Sequence, residues 1–222
     1  MINKAKELVS QLLNGDNSGH GMEHVNRVTE LALRFAETEK CNKDIVALAA
    51  LLHDADDYKL FGEESQKNLT NTTRILNEIG ANETVKQTVK DIVKTIGYRK
   101  RLNGICPSSI EGKIVSDADM CDAIGANGIL RIYQYQTKFN KPFFDRDIQP
   151  SDVEYKATKC AETGVAHIFE KILKLKKYVL TAAGIKEIEE RHNFTIAFLK
   201  QIFKEENANN WLQFLEDYLN NL

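Results

Sequence analysis

Proline is almost absent from this chain of 222 residues: only Pro107, Pro142 and Pro150 occur. Long stretches therefore carry nothing that would break a helix. Cysteine is sparse and scattered, with Cys41, Cys106, Cys121 and Cys160 forming no Cys-x-x-Cys pair. That spacing excludes a zinc ribbon and gives a disulfide framework no support. Long apolar runs are also missing. The longest, Ile45 to Leu52, falls far short of the ~20 residues that cross a bilayer, and the opening Met-Ile-Asn-Lys-Ala-Lys has no apolar core for a signal peptide. Neither charge sign is in excess: 30 basic and 32 acidic residues leave a formal charge of -2. Lys and Arg are dispersed, without the basic stripe that a dedicated nucleic-acid binder needs. The expectation is a cytoplasmic protein without membrane segments or dedicated nucleic-acid binding; oligomeric state is not legible.

What is present is a globular composition, 42% hydrophobic and 28% charged, which excludes global disorder. Its periodicity is helical. Met22, Val25, Val28, Ala32 and Phe35 recur at three- and four-residue steps and predict one apolar stripe. Asn42 can cap a following helix whose run Ile45–Leu52 is apolar on every side, as befits the centre of a core. Ser65 to Ile79 reads as a third long helix, stopped by Gly80. Asn82 can cap a fourth, with Val85, Val89, Ile92, Val93 and Ile96 on one face and Gly97 ending it. Ser108-x-x-Glu111 has the form of a capping box opening the helix that carries Asp117, Asp119 and Asp122. Phe143 to Pro150 reads as a loop. Beyond it, Gly184 is expected to separate the helices Val165–Leu180 and Ile185–Phe203, and Asn209 or Asn210 to start a last helix around Trp211. There is no internal repeat and no long linker, so the expectation is one all-α unit over residues 1–222.

Three places set ionisable residues where this patterning prefers apolar ones. His53-Asp54 ends the most apolar helix. Polar groups stranded at a buried helix end cost several kcal/mol each unless partnered, and the partial negative charge of that terminus favours a cation. A divalent metal would meet both demands; a hydrogen-bonded histidine and a capping aspartate are the plainer alternative. The second place is Gly19-His20-Gly21-Met22-Glu23-His24. His24 lies beside the apolar stripe, where a neutral imidazole is a good metal ligand. His20, at the end of a turn-rich segment, reads as a group facing substrate or supporting a ligand, or as a simple cap. The third is Asp117-Ala-Asp119-Met-Cys-Asp122, where three carboxylates would repel one another without a cation or an arginine. Asp119 and Asp122, at i and i+3, can serve one site that Asp117 cannot readily join. Arg27 and Arg131 are candidate partners for a carboxylate that is not a ligand.

Their order resembles that of the HD phosphohydrolase superfamily, closest to a bacterial branch of stand-alone proteins with a helical C-terminal region. The matching stretches are Ser18-Gly-His-Gly-Met-Glu-His-Val-Asn-Arg-Val28, Ala49-Ala-Leu-Leu-His-Asp-Ala-Asp-Asp57 and Asp117-Ala-Asp-Met-Cys-Asp-Ala-Ile-Gly125, with His167-Ile-Phe-Glu-Lys171 and Glu190-Arg-His192 in the tail. The resemblance implies an HD-domain helical bundle with a core at about 14–131 and added C-terminal helices at about 151–222. It makes His24, His53, Asp54 and Asp119 the ligands of one divalent ion (Mn, Fe, Co, Ni or Mg) and places Asp122 and Arg27 behind them or against substrate. Where relatives commonly carry a further histidine, this chain has Ile96-Gly-Tyr98-Arg99, so a second metal is not expected and a di-iron oxygenase is disfavoured. The implied substrate is a small phosphate ester, a nucleotide, hydrolysed to pyrophosphate and monophosphate or as a phosphomonoester. An inert HD fold that binds nucleotide or a partner is the alternative. Asp57, favoured over Asp56, is the expected proton-transfer group, and Lys59 could hold a phosphate oxygen. His167 and Lys171, at i and i+4, could line the substrate cavity, or be an exposed histidine and a solvated lysine.

Overall fold

The computed structural model describes residues 1–15, 21–150 and 161–222, and among these the chain is helical with no strand. Two compact units form: Met1–Asp122 with Val179–Gly184, and Ala123–Tyr178 with Ile185–Leu222. The first is built around α3 (Lys43–Leu52), in which every residue from Ile45 to Leu52 is buried. Asn42 caps it, its side chain accepting from the N–H groups of Asp44 and Ile45. A helix apolar all round needs neighbours on all sides. Here α1 (Ile2–Leu12), α2 (Met22–Ala36), α6 (Glu83–Val93) and α8 (Ile110–Asp122) surround it. The stripe on α2 buries Val25, Val28, Leu31, Ala32 and Phe35, and His24 is buried with them. Asn82 caps α6 by accepting from Val85 N–H.

Several boundaries differ from the sequence reading. The single helix expected over Ser65–Ile79 is two, α4 (Tyr58–Asn68) and α5 (Thr70–Glu78), parted at Leu69 in the left-handed region with φ 51°. The cause lies far back in the chain. Buried Asp56 accepts from the N–H groups of Asn71 and Thr72 at 2.8 and 2.9 Å and from Ser65 Oγ at 2.6 Å. It therefore caps α5 from outside. The expected capping box at α8 is displaced by one residue: Ser109 Oγ accepts from Gly112 N–H, and Glu111 turns to accept from Asn42 N–H.

Gly184 does not break a helix. It sits in the first turn of α11 (Ala182–Glu205), where an added Cβ would stand 2.7 Å from Asp117 Oδ2 and 2.8 Å from Val179 Cγ1. The glycine permits close approach to α8 rather than a turn. In the second unit, the helix expected over Val165–Leu180 is α10 (Gly164–Glu170), capped by Thr163, then a 3₁₀ segment over Ile172–Tyr178. Phe143–Pro150 is a loop, as expected, between α9 (Gly125–Lys138) and the later helices. The aromatic core of this unit gathers Phe144, Phe169, Phe203 and Trp211, the last on α12 (Asn209–Asn220).

Candidate metal centre

Three helices bring the first unit's polar residues to one point. His24 comes from α2; His53 and Asp54 follow the last residue of α3; Asp119 comes from α8. His24 Nε2 and His53 Nε2 are 3.1 Å apart. Asp54 Oδ2 lies 3.4 and 3.6 Å from these two nitrogens, and Asp119 Oδ1 lies 3.6 and 3.8 Å from them. Neighbouring ligands on an octahedral ion with bonds of ~2.1 Å stand about 3.0 Å apart and opposite ones about 4.2 Å. The spacings here lie within that range. One ligand atom from each of His24, His53 and Asp119 falls within 4.8 Å of the others, so these three could hold a metal ion together.

The hydrogen bonds behind the histidines settle which nitrogen faces the centre. His24 Nδ1 is 2.7 Å from Asp122 Oδ2, and His53 Nδ1 is 2.7 Å from the Ala50 carbonyl oxygen. A carboxylate and a carbonyl can only accept, so both Nδ1 atoms carry the proton. In neutral imidazoles both Nε2 atoms then present lone pairs to each other across 3.1 Å. A cation removes that conflict, and an Nδ1–H held by an oxygen is the usual support of a histidine ligand. The residues fit a metal by their own chemistry.

Asp122, 1% exposed, is itself gripped by Arg27, whose Nε and Nη2 donate to its two oxygens at 2.7 and 3.0 Å. This bidentate pair holds the carboxylate that orients His24. The Asp122 hydrogen bond and charge raise the Arg27 pKa, against the cost of partial burial. Asp117 takes no part in the cluster. Its carboxylate accepts from Leu180 N–H, Thr181 N–H and Thr181 Oγ, fastening the start of α11. Burial pushes its pKa up to about 6, opposed by those hydrogen bonds and by the charge of Arg101.

The histidine side chains are 2% and 1% exposed, whereas those of Asp54 and Asp119 are 16% and 23% exposed, so the centre opens on its carboxylate side. Asp57 caps the start of α4, its Oδ1 accepting from Lys59 N–H, and Lys59 is exposed. Lys100, on the short helix α7 (Tyr98–Leu102), is a cation that sequence patterning did not single out. Burial lowers its pKa while Asp54 and Asp57 pull it upward, which sets this ammonium in the field of both carboxylates. The available signal was the basic run Tyr98-Arg-Lys-Arg101 directly after an apolar stripe. His20 lies outside the described residues. His167 and Lys171 belong to the second unit, the former on α10 and the latter just past its end, both half-buried.

Known proteins resemble this chain in sequence and in fold. The HD domain family matches residues 21–124, which contain every residue of the cluster. YpgQ of Bacillus subtilis is 33% identical over 198 residues, 89% of each chain. Its crystal structure in complex with ADP superposes with a TM-score of 0.72, at 27% identity over 92% of this chain and 97% of that one. A protein from Lactobacillus plantarum superposes with a TM-score of 0.80, at 28% identity over 93% of this chain and 97% of the other. An HD-superfamily hydrolase of Bacillus thuringiensis gives 0.71, at 34% identity over 93% and 97%. With its sequence and its helical fold both matched over nearly their whole length, the chain belongs to the HD-domain family of hydrolases.

Proposed function

We propose that this protein is a metal-dependent phosphohydrolase acting on nucleotides, with one divalent ion held by His24, His53, Asp54 and Asp119. The observation that carries the reading is the pair of Nε2 atoms 3.1 Å apart, each on a ring whose Nδ1 is already committed as a donor. Two nitrogens and two carboxylates suit Mn²⁺, Fe²⁺, Co²⁺, Ni²⁺ or Mg²⁺ and leave room for substrate. A divalent ion there supplies Lewis acidity toward water and the phosphoryl group. Nucleotides are favoured because the ADP complex is of a relative similar over nearly its whole length.

In this reading the protein's own groups hold and move protons around that centre. Asp122, fixed by Arg27, keeps His24 in one tautomer and one orientation. Asp57 orients the attacking water or protonates the leaving oxygen, since it stands three residues beyond Asp54 and is not consumed in the cluster. Lys59 steadies a phosphate oxygen, and His20 contributes to substrate binding.

The test is release of phosphate and pyrophosphate from nucleoside mono- and triphosphates with each candidate ion. Turnover that requires the ion and stops on chelation is the expected result. A metal-loaded protein that binds nucleotide but releases nothing would leave an inert binding protein instead. Asp57→Asn keeps a good helix cap, so it is expected to fold and hold metal while losing ~10²-fold in turnover. Parental turnover in that variant would remove Asp57 from the reaction.

A further inference from the structure

We propose that Lys100 is a substrate-binding residue that takes a phosphate oxygen beyond the one at the metal, and that with Arg99 and Lys59 it selects polyphosphorylated over monophosphorylated ligands. This rests on the phosphohydrolase reading for its place beside the metal, but not for the binding it predicts. The ammonium of Lys100 is half-buried and has three donors. Among the described residues its one hydrogen bond is to the Val93 carbonyl oxygen, at 3.0 Å, at the end of α6. Asp54 and Asp57 act on it through their charge, yet no carboxylate among the described residues stands within ion-pair distance of it. A partly desolvated ammonium with unspent donors, next in the chain to Arg99 against the Tyr58 ring, suits an anion arriving from solvent.

The neighbours extend the same chemistry outward. The guanidinium of Arg99 sits 5.3 Å from the centre of the Tyr58 ring, and Lys59 Nζ lies 6.0 Å from the same ring. One tyrosine thus gathers two exposed cations beside Asp57. The charges of Asp54 and Asp119 would offset a divalent ion, and Asp122 is offset by Arg27. Against Asp57, the three cations Lys59, Arg99 and Lys100 leave a surplus. A phosphomonoester, at about -1.5 to -2, would use only part of it. A chain of phosphates presents oxygens at both the metal and the cations.

The capping contact with Val93 offers a purely structural role, and the experiment separates the two. Mn²⁺-loaded protein is titrated calorimetrically with inorganic tripolyphosphate and with orthophosphate, alongside metal content and thermal midpoint. Lys100→Met keeps the stem and removes the charge. It is expected to weaken tripolyphosphate roughly tenfold or more and orthophosphate by less than about threefold, with metal content unchanged. Lys100→Arg is expected to recover most of the loss. Parental tripolyphosphate affinity in Lys100→Met, an equal loss for both anions, or a parent protein that binds neither would overturn the proposal. A lower thermal midpoint with anion affinity intact would assign Lys100 to Val93 alone and overturn it too. If the pattern holds but no nucleotide is hydrolysed, the phosphohydrolase reading fails while the Lys100 site stands.

Discussion

Two sides of α8 hold aspartate in opposite ways. On one side Asp117, fully buried, receives donors from Leu180 and Thr181 and is complete within the chain. On the other, Asp119 meets His24 and His53, whose Nε2 atoms stand 3.1 Å apart while both Nδ1 atoms are already committed as donors. Both sets are polar, and α8 supplies an aspartate to each. Burial of charge alone therefore does not mark a site. What marks it is a set of groups that the chain's own hydrogen bonds leave incompatible, because folding tolerates such a set only where something from outside completes it.

The sharpest way to break this comparison is to remove one aspartate from each side. Asp119→Ala, like His53→Ala, is expected to take metal content from one ion per chain to none and to abolish turnover. Asp117→Ala is expected to keep the metal but lower stability by ~2–4 kcal/mol, since it strands the amides of Leu180 and Thr181. Metal analysis and denaturant unfolding of both variants read the two effects separately. Full metal occupancy in Asp119→Ala would remove it from the ligand set.

A smaller effect tests the support behind the ligands. Asp122→Asn keeps the shape of the carboxylate but loses its charge toward Arg27 and the His24 Nδ1–H. Metal affinity is expected to fall about 10–100-fold, as for other losses of a partner behind a histidine ligand. Arg27→Lys, which cannot reproduce the bidentate fork, is expected to show part of that loss. Equal affinity in all three proteins would mean that the orientation of His24 is fixed by packing on α2 alone.

Much of this arrangement was legible in the sequence because its causes are local. Asn42 precedes a run of apolar residues, and the cap and the buried helix both follow from that order. The i and i+3 spacing of Asp119 and Asp122 puts both toward the histidines, while Asp117 turns away. What was not legible depends on residues distant in the chain. The break at Leu69 is governed by Asp56 reaching the amides of Asn71 and Thr72, which local helix propensity over Ser65–Ile79 does not register. Gly184 looks like a helix breaker in sequence, yet it is required small by Asp117, 67 positions earlier. Lys100 lies in the fields of Asp54 and Asp57, and no spacing rule links a lysine to carboxylates that far back.

The smallest expected effect extends the comparison from aspartate to histidine. His24 and His53 each have an oxygen on Nδ1. His192, on α11 in the second unit, is 4% exposed, and neither ring nitrogen makes a well-formed hydrogen bond among the described residues. Burial lowers its pKa, and the charge of Lys176 adds to this. Glu189 and the Leu173 carbonyl act in the opposite sense without prevailing. The folded protein thus binds a proton at this ring less readily than the unfolded chain, whose histidine titrates near 6.5. By linkage, the stability tied to a neutral His192 is fully present above about pH 6.5 and is lost as pH falls through the lower folded value. Metal-loaded protein, in which the proposed ligand set would hold His24 and His53, is expected to show a thermal midpoint that drops between pH 8 and pH 5. His192→Leu fills similar apolar space without a titrating ring, so its midpoint should drop less over the same interval. The difference between the two proteins isolates this ring from the carboxylates that titrate in both. Parallel curves for parent and variant would show that the ring stays uncharged throughout, or finds a partner when it protonates, and that burial without a partner has no thermodynamic consequence at this position.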